Sequence, residues 1–352
     1  MPIRPTLKPW GVLVILGVFL GSCAPQAQRP QAQKVTQPEP ELIIVTTFLP
    51  ITAFTKAVAG DRATVEQLLP HNTGPHDFQA RPEDVQRLST ARVLVKNGLG
   101  METFLDKLIE NAANPDLKII DTSAGVATIA SKQQDHDHKH DHAHDQEDHN
   151  HGEFNPHIWL DPKRAIQQVK NIRDGLTAVD PDGATIYEKN SAAFIEKLQA
   201  LDTLAREKLT PFAGKTFVVY HDVAPYFAES YNLKTTYLVG IPSVNPSPDD
   251  VKRVMQAVQQ SELKTLLTEP GQEQVFESLA KDLGVQVSVF DPLERAPSLA
   301  DLTPAYFLQT MEQNIRNLAE AFGAQQRAYR HPDSIAVVGS WMRVNIPFGA
   351  AL

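Results

Sequence analysis

The sequence predicts an α/β protein of two lobes, each a mainly parallel sheet covered by helices. One long helix joins the lobes, and a metal site is expected in the cleft between them. Three observations predict this. Short β-branched runs alternate with stretches of helical spacing in two separate series. A 27-residue amphipathic stretch, 183–209, lies between the two series. Histidines and an aspartate, side chains suited to metals, fall at strand ends or in loops of both series.

The first series begins at Leu42. "LIIVTTF" reads as a buried strand, and "ITAFTKAVAG" has helical spacing and closes on Gly60. "ATVEQLL" is a strand, and "PEDVQRLS" is a helix with Pro82 in its first turn. "RVLVKNG" is a strand, "METFLDKLIENAA" a helix and "LKIIDTS" a strand. After "NPHIWLDP" come the helix "RAIQQVKNIRDGLTAV" and then the long stretch, about 40 Å at 1.5 Å per residue. Ile186, Phe194, Ile195, Leu198, Leu201, Leu204 and Leu209 fall at near-helical spacing along it, with charges between. The second series runs "TFVVYHD", "VAPYFAESYN", "LKTTYLV", "SPDDVKRVMQAVQQS", "LKTLLTEP", "QEQVFESLAKDLG", "VQVSVFDP" and a final helix over 304–322. Ligands of open α/β sheets bind beyond the carboxyl ends of the strands, so two such sheets point to the cleft between them.

The chain has 352 residues, enough for two lobes, and a formal net charge of −9. That acidic balance argues against a nucleic-acid partner, which needs a basic face. The N-terminus is a separate object. Arg4 and Lys8 precede the apolar run "WGVLVILGVFLG", the pattern of an export signal too short to span a bilayer comfortably. The run ends in "LGSC", which resembles a bacterial lipobox. That resemblance implies cleavage before Cys23 and lipid on its sulfur. Cys23 is the chain's one cysteine, which excludes an internal disulfide and a CxxC zinc site. Residues 23–41, rich in Pro and Gln, read as an extended tether. The expected organisation is a signal peptide at 1–22, the lipid-anchored tether, an N-terminal lobe over 42–181 and a linking helix over 182–210. A C-terminal lobe over 211–322 and a tail over 323–352 without an assigned role complete it.

The segment 136–151, "HDHKHDHAHDQEDHNH", breaks every period. Within the loop 132–153 it places His136, His138, His140, His142, His144, His149 and His151 among aspartates, with almost nothing apolar. Such a run cannot build a core. It offers many weak metal sites in a flexible chain and would raise the local metal concentration. The plain alternative is a solvated acidic loop.

Four further residues carry the candidate site. His76 in "GPHDF" follows a strand, and His157 in "NPHIW" follows the histidine run. His221 ends "TFVVYH", and Asp291 ends "VQVSVFD". Two come from each lobe. Three imidazoles and a carboxylate suit a borderline divalent ion such as zinc in a tetrahedral cage. The alternative is four unrelated polar residues at strand ends, and no compact motif such as HExxH decides between the two. Asp77, Asp222 and Glu269 are candidates to accept a hydrogen bond from a ligating imidazole. His71 reads as a loop histidine, and Trp159 as a core residue.

The stretch "GDRATVEQLLPHNTGPHDFQARPEDVQRLSTARVLVKNGLGMETFLDKLI", with "NPHIWLDP", "VVYHDVAPYFAESYNL" and "VFDPL", resembles a known family. It is that of the zinc/manganese substrate-binding lipoproteins of bacterial ABC importers (cluster A-I, ZnuA-like), and the resemblance covers 42–322. It implies that His76, His157, His221 and Asp291 are the four metal ligands in that order. Histidine at the third position and the histidine-rich insertion are typical of zinc members; manganese members often carry glutamate at the third position. The resemblance also implies a monomeric, exported, periplasmic or cell-surface protein, held at the membrane by lipid on Cys23. Such a protein hands Zn2+, or Mn2+ as the alternative, to an ABC permease and its ATPase. It is not an enzyme. A zinc hydrolase would need an open coordination position, which four protein ligands remove. A periplasmic zinc buffer or chaperone is a further alternative.

Overall fold

The computed structural model describes residues 42–131, 153–240 and 246–329. The expected export signal, Cys23, the tether and all seven histidines of the 136–151 run lie outside the described residues. No helix among the described residues is long and apolar enough to cross a membrane.

The two expected parallel-sheet lobes and the long helix are present. The first sheet holds β1 (Ile43–Thr46), β2 (Thr64–Gln67), β3 (Val93–Lys96) and β4 (Lys118–Asp121) in the order β2-β1-β3-β4. The second holds β5 (Thr216–His221), β6 (Lys234–Val239), β7 (Thr265–Thr268) and β8 (Gln286–Val289) in the order β6-β5-β7-β8. All pairs are parallel. The chain leaves the first strand of each sheet to one side and returns on the other. Each sheet therefore has a switch point where a ligand crevice opens beyond the strand ends: β1/β3 in the first sheet and β5/β7 in the second.

The helices α1 (Leu49–Ala59), α2 (Pro82–Thr90), α3 (Leu105–Ala112) and α4 (Pro162–Val179) belong to the first lobe. The long helix α5 (Ala184–Leu209) follows. In the second lobe come α6 (Pro225–Ser230), α7 (Pro248–Gln260), α8 (Glu273–Leu283) and α9 (Pro304–Tyr329). Start signals are local: Asp161 caps α4 through the Lys163 N–H, and Ser247 with Asp250 forms a capping box on α7. Three of the boundaries that differ from the sequence expectation bear on the site or the tail. Helix α3 begins at Leu105 rather than Met101, because Gly98, Leu99 and Gly100 all have positive φ and consume the preceding residues in a turn. Strand β8 stops at Val289, two residues before Asp291. Helix α9 continues past 322 to Tyr329 and takes in the start of the expected tail.

The lobes are packed on one another. A single apolar cluster runs from Ile44, Phe48 and Phe54 through Trp159 and Leu198 to Phe217, Phe290 and Phe307. A smaller cluster covers the outer face of the second sheet, around Val218, Leu266 and Phe276. A polar tie joins α4 to α6. Fully buried Asp161 accepts from Ser230 (2.9 Å) and pairs with Arg164 (2.7 Å). Arg164 also pairs with Glu229 and lies over the Tyr226 ring at 4.6 Å.

Candidate metal centre

Four segments converge where the strand ends of the two sheets meet. His76 comes from the loop between β2 and α2. His157 precedes a short 3-10 turn, Ile158–Leu160, that leads into α4. His221 is the last residue of β5, and Glu294 lies in the loop after β8. One ligand atom from each of these four residues lies within 4.8 Å of the others. His157 Nε2 is 3.1 Å from Glu294 Oε1, and His76 Nε2 and His221 Nε2 are each 3.4 Å from it. The Nε2 atoms of His157 and His221 are 3.3 Å apart. Zinc–nitrogen bonds of about 2.0–2.1 Å put the corners of a tetrahedron about 3.3–3.4 Å apart. The three Glu294 edges and the His157–His221 edge lie close to that spacing.

The structure brings three of the expected residues together and leaves out the fourth. Asp291 is not a member of the group. Its Oδ1 accepts the Leu293 N–H at 2.7 Å, and its backbone exchanges two bonds with the Asn314 amide, 2.8 and 2.7 Å. Leu293 is fully buried with φ 61°, a left-handed conformation that a branched side chain adopts only under constraint. The Asp291 turn supplies that constraint and swings the next residue, Glu294, into the cleft. The first carboxylate after the strand therefore shapes the loop, and the carboxylate three residues on faces the imidazoles. Burial and the neighbouring carboxylates of Glu269 and Glu294 push the Asp291 carboxyl up to about 6.

Each buried imidazole has a partner on its far nitrogen. The His221 Nδ1–H donates to Glu269, whose same oxygen accepts the His221 backbone N–H at 3.1 Å. The His157 Nδ1–H donates to Asn155 Oδ1 at 2.9 Å. These bonds leave both Nε2 atoms aimed at the cleft. Of the three acceptor candidates, Glu269 fills the role. Asp77 pairs instead with Arg295 at 2.7 Å, and Asp222 offers its backbone carbonyl to Asn155 at 2.7 Å. Sequence reasoning missed Asn155, although "NPH" places an amide two residues before the imidazole, the reach of a local side-chain turn.

Burial would lower the His221 pKa, but the charges of Glu269 and Glu294 outweigh it and hold the ring up at about 10. For His157 burial wins and drops the ring to about 3, so it is neutral at ordinary pH. Burial opposes ionisation of Glu294, yet His76 and His221 hold it well below the usual carboxylate range. The site thus presents a neutral ring, a carboxylate and a proton that a cation would displace.

His71 lies outside the cluster. Its Nδ1–H donates to the Ala296 carbonyl (2.9 Å), and its own carbonyl accepts the Ala296 N–H (2.6 Å). It ties the loop of His76 to the loop of Glu294. Trp159 is a core residue, as expected. It is edge-on to Phe48, lies 5.1 Å from the His157 ring, and its Nε1–H reaches the Pro292 carbonyl at 2.8 Å.

Residues 44–321 match the family model described as ZnuA, zinc-uptake complex component A, periplasmic. The chain is 33% identical over 308 residues to the zinc-binding lipoprotein AdcA of Streptococcus pneumoniae serotype 4, covering 87% of this chain and 59% of that protein. It therefore spans under two thirds of that relative. It is 30% identical to the high-affinity zinc uptake system protein ZnuA of Bacillus subtilis, covering 89% of this chain and 98% of that one. The crystal structure of the Zn(II)-bound ZnuA-like domain of Streptococcus pneumoniae AdcA superposes with a TM-score of 0.66 at 32% identity. That match covers 80% of this chain and 99% of the domain.

Proposed function

Given that the chain belongs to the ZnuA family of periplasmic zinc-uptake components, we propose that it captures Zn2+ outside the cytoplasm and delivers it to an ABC-type permease and its ATPase. The observation that carries this reading is the cluster of three imidazoles and one carboxylate, drawn from four segments and converging to within 4.8 Å of one another, with Glu294 3.1–3.4 Å from all three rings. The ligands we propose are His76, His157, His221 and Glu294, with Glu294 in the place that sequence reasoning gave to Asp291. Three nitrogens and a single carboxylate favour zinc over manganese, which prefers oxygen ligands. Zinc is the cargo here. Four protein ligands fill a tetrahedron and leave no position for an activated water, so this is a carrier rather than a hydrolase.

The same reading assigns the flanking segments. Residues 1–22 direct export and are removed, and lipid on Cys23 holds a monomer at the membrane through the tether 23–41. The lobes occupy 42–181 and 211–322 with the linking helix at 182–210, and residues 323–352 carry no assigned role. The histidines of 136–151 collect zinc weakly near the cleft. The composition of the run and its position just upstream of His157 support that role.

The test is a zinc titration of purified protein with elemental analysis, in competition with a strong chelator. One tight zinc per chain is expected, with weaker sites above it, and His157→Ala should remove the tight site alone. A tight site that survives His157→Ala rejects the cluster as the binding site.

A further inference from the structure

We propose that Glu102 is a positioning residue for metal capture, acting through Asn97 on the peptide that carries His157. The inference rests on the zinc-carrier reading above and extends it to the switch point of the first sheet. At the second sheet's switch point, His221 ends β5 and Glu269 follows β7, and the glutamate grips the ligand directly. The first sheet's switch point carries a glutamate too, one step further from the metal. Glu102 Oε1 accepts the Asn97 N–H (2.7 Å), just after β3, and the Thr47 hydroxyl (2.8 Å), just after β1. Its Oε2 accepts the Gly98 N–H at 3.1 Å. The carboxylate therefore cross-links the carboxyl ends of the two strands that flank the crevice.

Asn97 is fully buried. Its Nδ2 donates to the Pro156 carbonyl at 3.0 Å and to the Gly98 carbonyl at 3.1 Å. Its Oδ1 accepts from Gln168 at 3.0 Å. Pro156 immediately precedes His157. The residue on the other side of Pro156 is held by the second lobe: Asn155 donates to the Asp222 carbonyl, and its own carbonyl accepts the Tyr226 hydroxyl at 2.6 Å. The tripeptide Asn155–Pro156–His157 is thus suspended between lobes, and Asn97 is a first-lobe tie on it.

Burying a carboxylate among neutral donors is costly. All three direct donors to Glu102 are neutral, and burial pushes its carboxyl up to about 7. An apolar side chain would fill the space at less cost. What the carboxylate supplies is orientation: three donors converge on it, and only then does the Asn97 amide lie in register with Pro156. Ligand atoms spaced as the edges of a tetrahedron tolerate about 0.5 Å of displacement before affinity suffers.

The test uses the full chain, with Zn2+ buffered by a competing chelator below the range of the histidine run. Glu102→Gln keeps the volume but turns an N–H against at least one of the three donors. It should weaken the tight zinc site at least tenfold and speed zinc release. It should also alter the visible spectrum of Co2+ added at half an equivalent. Leu108→Ala, at a buried apolar residue of the same helix region, α3, serves as the control for a general loss of packing. It should lower thermal stability while leaving zinc affinity within threefold. Asn97→Ala should weaken zinc to a similar extent, and combining it with Glu102→Gln should add little further. If Glu102→Gln does not fold, the Asn97→Ala result decides. Wild-type affinity in Glu102→Gln or Asn97→Ala, or an equal loss in Leu108→Ala, overturns the positioning role. Survival of the tight site in His157→Ala would instead remove the carrier site itself, whatever Glu102 does.

Discussion

Within the four residues Asp291–Glu294, one carboxylate bonds the backbone of its own turn and the other faces three imidazoles. The two roles respond differently to conservative substitution. Asp291→Asn keeps the Oδ1 acceptor for Leu293, so zinc affinity should stay within about threefold. Glu294→Gln keeps the shape but removes the anionic ligand and should weaken zinc more than tenfold, about 1.4 kcal/mol or more. Chelator competition on the two variants measures both. A large loss in Asp291→Asn beside an unaffected Glu294→Gln would return the ligand role to Asp291. The three histidines that meet in the cluster stood out in the sequence because each followed or ended a strand or followed an unpatterned stretch. At the fourth position Glu294 rather than Asp291 meets the imidazoles, because a strand end marks where a loop begins and not how it turns. The left-handed φ of Leu293 that carries Glu294 inward depends on burial and on the Asp291 bond, and neither is visible in a run of letters.

At the scale of elements, β-branched runs gave the strands and Pro82 gave a helix start, while Pro162 and Pro248 open α4 and α7 in the same way. The late start of α3 follows from three consecutive residues at positive φ, of which the two glycines were visible and Leu99 was not. The segments on either side of the histidine run are joined independently of it. Ala130 bridges antiparallel to Phe154, the Ser131 N–H reaches the Glu153 carbonyl (3.0 Å), and the Asn155 N–H reaches the Ile129 carbonyl (2.9 Å). The Tyr226 hydroxyl adds a clamp from the second lobe, accepting the Ile129 N–H at 3.1 Å and donating to the Asn155 carbonyl. Replacing 133–152 with a short Gly/Ser turn should therefore leave this ladder and the tight site in place. Total zinc bound per chain should drop to one, read by elemental analysis, with the tight-site Kd within about threefold of the full chain. Loss of the tight site in that deletion would show that the run contributes a ligand.

At the scale of the whole molecule, the cluster draws ligands from both lobes, and those lobes already share one apolar core. A wide hinge opening would expose that core, so exchange of the cargo is expected to involve the ligand loops more than the lobes. Zinc then acts as an added cross-link whose strength is set by what it must displace. His221 holds its proton up to about 10 because Glu269 and Glu294 flank it, whereas His157, at about 3, is already neutral. A folded-state pKa raised above the ordinary histidine value stabilises the metal-free fold fully below about pH 6.5. That contribution is lost as pH rises through about 10. Zinc must remove this proton, so binding at neutral pH releases about one proton from His221. Apparent affinity should accordingly rise about tenfold per pH unit between about pH 7 and 9. At a fixed, buffered concentration of free zinc well above Kd, each tenfold step adds about 1.4 kcal/mol to the difference in stability between the zinc-bound and the metal-free protein, because the metal-free fold loses the His221 contribution while the zinc-bound fold does not. For a body of this size that is about 3–5 °C in Tm per pH unit, seen as a widening gap between zinc-loaded and metal-free melting curves. In His221→Ala the proton is absent, and the gap should be small and flat across the same range. A gap that is large and independent of pH in the wild type would mean that zinc binds without displacing the His221 proton, and so without the His221 ring.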